Sequence, residues 1–166
     1  AVVLANIVRR RGGTAASATP LGKVMHEALT DGAQLLLLGA MVVGLLTGSR
    51  RSEAVQNFPH LLDVAHRIRR VFHDATFLVP TMPATHPIVE KHIAKSRGHG
   101  VEIGLGAFDH FVPRCDLCIT KSGTSTLHVA AWGVPMIVVY RVNPILWHLI
   151  GRWVVKTRTY TMVNML

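Results

Sequence analysis

From Met41 onward, short apolar runs alternate with longer stretches in which apolar positions recur every three or four residues. Met41-Val42-Val43-Gly44-Leu45-Leu46 is almost continuously apolar, as a central strand covered on both faces requires. The run breaks at Thr47-Gly48-Ser49, and a helical stretch follows to about Val71. Pro59 falls inside that stretch. Asn57 can cap and Pro59 can take a first-turn position, so the pattern predicts two abutting helical pieces. Thr76-Phe77-Leu78-Val79 reads as a second strand, Pro83 to Ser96 as a helix, and Val101-Glu102-Ile103 as a third strand. A short helix near Ala107 to Val112 precedes the fourth strand, Leu117-Cys118-Ile119-Thr120. Ser122 is placed to cap a helix that ends at Gly133, with Pro135 just beyond to block its continuation. Met136 to Tyr140 is a fifth strand, Pro144 to Val155 a further helix, and Tyr160 to Val163 a sixth strand.

Five or six such strand–helix units without internal repeats predict an α/β chain, a Rossmann-like open parallel sheet with helices on both faces. Residues 41–166 form that domain. Residues 1–40 read as a lead-in or linker, with Arg9 to Pro20 rich in small and basic residues and a short helix over Val24 to Ala33. In open sheets of this kind ligands bind beyond the carboxyl ends of the strands. The loops after strands one, four and five therefore carry the candidate chemistry.

Composition adds an electrostatic constraint. The chain has 166 residues, 49% of them hydrophobic and 16% charged, enough to build one folded core. Its formal charge of +9 favours anionic partners: nucleic acid, anionic lipid or phosphorylated substrates. No acid follows Asp116, whereas Lys121, Arg141, Arg152, Lys156 and Arg158 do. No nucleic-acid-binding motif accompanies these cations and aromatics are sparse, which argues against nucleic acid. A membrane surface and a merely solvated basic face stay open. The longest apolar stretch, Leu35 to Leu46, is shorter than the roughly 20 residues that span a bilayer. Nothing resembles a cleavable signal peptide, and two cysteines give no disulfide framework, so the expected location is cytoplasmic. The chain starts at Ala1 and stops just after a strand-like run, the look of a fragment cut at both ends.

The first loop is Thr47-Gly48-Ser49-Arg50-Arg51-Ser52-Glu53. Gly48 permits a close turn, the N–H groups opening the next helix favour an anion, and Arg50 offers a fork of donors to phosphate or carboxylate. Glu53 can cap the helix or bind a hydroxyl. The fourth loop, Lys121-Ser122-Gly123-Thr124-Ser125-Thr126, is a second phosphate-cradling candidate, with five small or hydroxyl residues opening a helix. Taken separately, each is also what an ordinary strand-to-helix turn looks like. Their common position at one sheet edge lets them converge on one diphosphate.

Other features read as structural. Cys115-x-x-Cys118 is a single pair, and if both residues are extended they point to opposite faces, so buried thiols are expected. His86 and His92 flank Glu90 on a solvated helix face, and no metal site is predicted. The Pro144 to Val155 segment, with Trp147, Arg152 and Trp153, is apolar nearly all round. It suits packing against another domain, a membrane interface or this domain's own core.

Four motifs in collinear order over residues 41–166 resemble one family. Val43-Gly44-Leu45-Leu46-Thr47-Gly48-Ser49-Arg50-Arg51-Ser52-Glu53 resembles the first donor-side loop of the C-terminal domain of lipid-A-disaccharide synthases. Lys121-Ser122-Gly123-Thr124-Ser125-Thr126-Leu127 is similar to their second signature, and Gly133-Val134-Pro135-Met136-Ile137-Val138-Val139-Tyr140-Arg141 to the strand after it. Val155-Lys156-Thr157 and Val163-Asn164-Met165-Leu166 resemble the segment returning toward the other domain.

The resemblance implies one half of a GT-B glycosyltransferase acting in lipid A biosynthesis. Its donor would be UDP-2,3-diacylglucosamine and its acceptor 2,3-diacylglucosamine 1-phosphate (lipid X), joined with inversion and release of UDP. The work would take place at the cytoplasmic face of the inner membrane of a Gram-negative-type bacterium, without a metal or other cofactor and with a homo-oligomer allowed. It places the donor on Gly48, Ser49, Arg50, Glu53, Ser122, Gly123, Thr124, Thr126, His128, Tyr140, Arg141 and Asn164. It places the catalytic residues in an N-terminal acceptor domain, so the fragment is expected to be inactive alone. His128 stands where the family commonly has a ribose-binding glutamate, and Thr47 where it often has proline. Two rival readings remain: another GT-B UDP-sugar enzyme, such as a peptidoglycan N-acetylglucosaminyltransferase, and a non-catalytic membrane- or partner-binding module.

Overall fold

The computed structural model describes residues 2–8, 14–20, 41–96 and 100–142. In chain order the elements are β1 (Val2–Val8), β2 (Thr14–Pro20), β3 (Val42–Leu46), α1 (Arg51–Val71), β4 (Thr76–Thr81), α2 (His86–Ser96) and β5 (Val101–Leu105). They are followed by α3 (Phe108–Phe111), a 3₁₀ turn over Val112–Arg114, β6 (Leu117–Lys121), α4 (Ser125–Ala131) and β7 (Met136–Val142). The expected helix over Val24 to Ala33, the helix over Pro144 to Val155 and the strand over Tyr160 to Val163 lie outside the described residues.

The strands form one sheet in the order β2-β1-β7-β6-β3-β4-β5. The run β7-β6-β3-β4-β5 is parallel throughout, as the strand–helix alternation predicts. Beyond β7 the sheet departs from a purely parallel one: β1 pairs antiparallel with β7, and β2 antiparallel with β1. Thr14–Pro20, linker-like by composition, is thus a strand. Its small side chains carry little β signal, and its place in the sheet comes from backbone pairing with β1, which itself pairs with the distant β7.

Side chains alternate between the two faces with the period of two that strands impose. Phe77 and Val79 enter one core with Val43, Leu45 and Ile119, against Phe58, Leu61, Leu62, Ala65 and Ile68 of α1. Leu78, between them, enters the other core with Cys118, Met136 and Val138, against Phe111, Val112 and Val129. Helices therefore cover both faces. Each fully buried leucine or phenylalanine contributes about 1.5–3 kcal/mol, so the sheet is fixed from both sides.

Helix α1 runs unbroken through Pro59, where two abutting pieces were expected. Phe58, Leu61 and Leu62 are all buried on one face while Pro59 faces solvent, and that burial outweighs the lost backbone bond. At the far end of the chain's helical set, α4 begins at Ser125 with Thr124 at its cap position, not at Ser122. Gly133, at φ 67°, ends it in the left-handed region, with Gly133 N–H donating to Ala130 O and Val134 N–H to Val129 O. Among the described residues no helix is long and apolar enough to cross a membrane.

Candidate functional site

Strands β3 and β6 are parallel neighbours, with Leu46 opposite Thr120. Their loops therefore leave the same sheet edge side by side. This is also the point where the strand order reverses, since the chain goes from β3 outward to β4 and β5 and only then returns to β6. A cleft of about 580 Å³ opens there.

The loop after β3 forms one wall. Gly48 has φ 94°, and a Cβ at that position would run into the Glu53 carboxylate, so glycine serves both the turn and the close approach. Arg50 is extended at the cap position of α1, and its carbonyl accepts from Glu53 N–H and Ala54 N–H. The Arg50 side chain is 80% exposed beside the cleft. The earliest N–H groups of the helix have no partner within it, which leaves a donor-rich rim.

The loop after β6 forms the opposite wall. Ser122 and Gly123 sit in the turn ahead of α4, and Thr126 is buried behind it, donating its hydroxyl to Gly123 O at 2.7 Å. Thr126 thus shapes the loop and does not line the cleft. The two walls are joined by an ion pair: Lys121 Nζ lies 2.6 Å from Glu53 Oε1, and Arg50 Nη1 3.9 Å from the same oxygen. Glu53 accepts from Lys121 and lies beside Arg50, in place of the capping role expected of it.

Of the residues expected at the site, Gly48, Ser49, Arg50, Glu53, Ser122, Gly123, Thr124 and His128 line the cleft together. His128 is exposed and packs edge-on against Phe108, with ring centroids 5.9 Å apart. Tyr140 and Arg141 lie on β7, the strand beside β6. Asn164 lies outside the described residues. Sequence reasoning missed Lys121 as a lining side chain, and with it Thr81 at the end of β4, Met82 just beyond it, and Phe108 and Asp109 after β5. The signal available was positional: loops after parallel neighbours share one edge.

Thr81 belongs to a hydrogen-bonded chain running outward from the cleft. Its hydroxyl donates to Gly104 O at 3.2 Å and lies 2.7 Å from His86 Nδ1, while His86 Nε2 lies 3.3 Å from Glu90. His86 is therefore a support of the cleft wall, where a solvated helix face was expected. His92 Nδ1 pairs with Ile88 O, its ring edge-on to Phe58.

The two thiols do not point to opposite faces. Cys115 ends the 3₁₀ turn before β6, so only Cys118 follows the strand's alternation, and both sulfurs lie over Gly44. A hydrogen bond from Cys118 lowers the pKa of Cys115, with burial opposing it, and the same bond together with burial raises that of Cys118. Among the described residues no three His, Cys, Asp or Glu side chains group to hold a metal ion.

Comparison with known families matches residues 27–166 to the family described as Lipid-A-disaccharide synthetase. The chain belongs to the lipid-A-disaccharide synthetase family. The match begins at residue 27, so membership reaches upstream of the motifs that first suggested it. The chain is 35% identical over 107 residues to the lipid-A-disaccharide synthase of Geobacter sulfurreducens, covering 64% of this chain and 28% of that protein. It is 37% identical over 129 residues to the synthase of Gluconobacter oxydans, covering 76% and 31%. Against the synthase of Solibacter usitatus it is 32% identical over 152 residues, covering 89% and 39%. The chain thus spans roughly three to four tenths of the length of these family members.

Proposed function

We propose that this chain is the donor-binding part of a lipid-A-disaccharide synthase. In this reading the cleft holds the diphosphate of UDP-2,3-diacylglucosamine, and the sugar passes with inversion to 2,3-diacylglucosamine 1-phosphate bound by the remainder of the protein. The observation that carries it is the convergence of two loops, each opening a helix, on one cleft at the switch point of the sheet. Ser49 and Arg50 grip the diphosphate from one side, and Ser122, Gly123 and Thr124 from the other. Thr126 holds the second loop in shape. Backbone donors, hydroxyls and arginine neutralise the leaving diphosphate as its charge develops. His128 offers the ribose one hydrogen bond where a glutamate would offer two. Tyr140, Arg141 and Asn164 complete the donor side. Family membership over residues 27–166 supports this reading over another UDP-sugar enzyme or a non-catalytic module. With a charge of +9 the chain suits an anionic membrane surface, which fits acyl-bearing substrates.

Calorimetric titration with UDP tests the assignment. The chain should bind UDP, and Arg50→Ala should weaken binding by about 1.5–3 kcal/mol, the range for a hydrogen bond to a charged group. Equal affinity in the two proteins would remove Arg50 from the site. No transfer activity is expected from the chain alone, because the acceptor site and catalytic base belong to the remainder.

A further inference from the structure

The ion pair across the cleft has an unusual position for a structural clamp. Lys121, on the last residue of β6, and Glu53, in the first turn of α1, come from opposite walls and meet at 2.6 Å where both loops face the ligand space. Glu53 is the more enclosed partner, 18% exposed against 37% for Lys121, and is folded over Gly48, where only a glycine leaves room. The same oxygen also draws Arg50 at 3.9 Å. One carboxylate is therefore shared between two cations in the cleft.

A partly desolvated ammonium needs a counter-ion. Without a ligand Glu53 supplies it. A diphosphate carries more charge and more acceptor oxygens than a single carboxylate, so it is the stronger partner for Lys121. Resting on the UDP-sugar reading above, we propose that Lys121 is a diphosphate-binding residue and that Glu53 restrains it, lowering diphosphate affinity by competing for the ammonium and by repelling the incoming anion. The pair is then a built-in counter-ion that the ligand displaces, and it returns when the diphosphate leaves.

The sign of one substitution separates this from a clamp. Glu53→Gln keeps the size of the side chain and an oxygen able to accept from Lys121, but loses the charge. A restraint predicts tighter diphosphate binding, whereas a clamp predicts looser binding of every ligand. Titrations of the chain and its variants with UDP and with uridine, the latter by ligand-observed NMR, read the difference. Glu53→Gln should bind UDP about three- to tenfold more tightly with uridine unchanged. Lys121→Ala should weaken UDP by at least as much, again sparing uridine, and Lys121→Arg should recover most of the loss. The proposal is overturned if Glu53→Gln binds UDP equally or more weakly, if uridine affinity moves in parallel, or if Lys121→Ala binds UDP as the unsubstituted chain does. A chain that binds no UDP at all would instead overturn the donor-site reading itself.

Discussion

Gly44 shows how narrowly single positions are set. A Cβ at this residue would lie 2.7 Å from Cys118 Sγ and 3.0 Å from Cys115 Sγ. Gly44→Ala adds one methyl group to a space already filled by two sulfurs, and both neighbours are buried. Overpacking of this kind costs about 1–3 kcal/mol, so urea denaturation should show a loss of that size with an unchanged slope. The apolar run Met41 to Leu46 announces a buried strand, yet nothing in it announces the sulfurs, because Cys115 reaches Gly44 only through the 3₁₀ turn. The same holds at the cleft. Ser49, Arg50, Ser122 and Gly123 were legible from their loops, since strand-to-helix turns rich in glycine and hydroxyls carry a local signal. Lys121 and Glu53 are 68 residues apart, and their meeting depends on β6 lying beside β3, which no local pattern encodes.

Among the elements, α1 carries the clearest conflict between local preference and packing. Pro59 lies well inside a helix of 21 residues. Proline there removes an N–H and crowds the carbonyl of Val55, which is why the local pattern suggested a break. Seven buried residues of α1 hold it against the sheet and override that preference. Pro59→Ala should therefore stabilise the chain, by about 1–3 kcal/mol once the looser unfolded state is set against the regained helix geometry. A raised denaturation midpoint with unchanged helical signal is the expected result, and a lowered one would mean that Pro59 fits the helix better than its sequence position implies. The strands of the parallel run were legible to within a residue or two because their apolar content is dense. β1 and β2 were not: Thr14–Pro20 consists of small side chains whose order comes from pairing with β1, and β1, although apolar, is placed by its antiparallel pairing with the distant β7 and not by a strand–helix unit.

For the molecule as a whole, the decisive feature is the strand order of the sheet. β3, β4 and β5 follow one another in sequence and pair in that order, but β6 must return past them to reach the open side of β3. The bond from Val42 N–H to Asp116 Oδ2 spans 74 positions. Closing so long a segment into a parallel pairing is entropically costly and slow. Recovery of UDP binding after dilution from denaturant should therefore keep pace with the slowest phase of refolding seen by circular dichroism. Binding that returned ahead of that phase would contradict this expectation.

The seam between β3 and β6 thus has a meaning beyond geometry. On the donor-site reading a diphosphate needs both loops, so the grip would exist only where β6 lies beside β3. Capture of a nucleotide would then report that this join has been made. It also rewards it, because a ligand held by both jaws resists their parting.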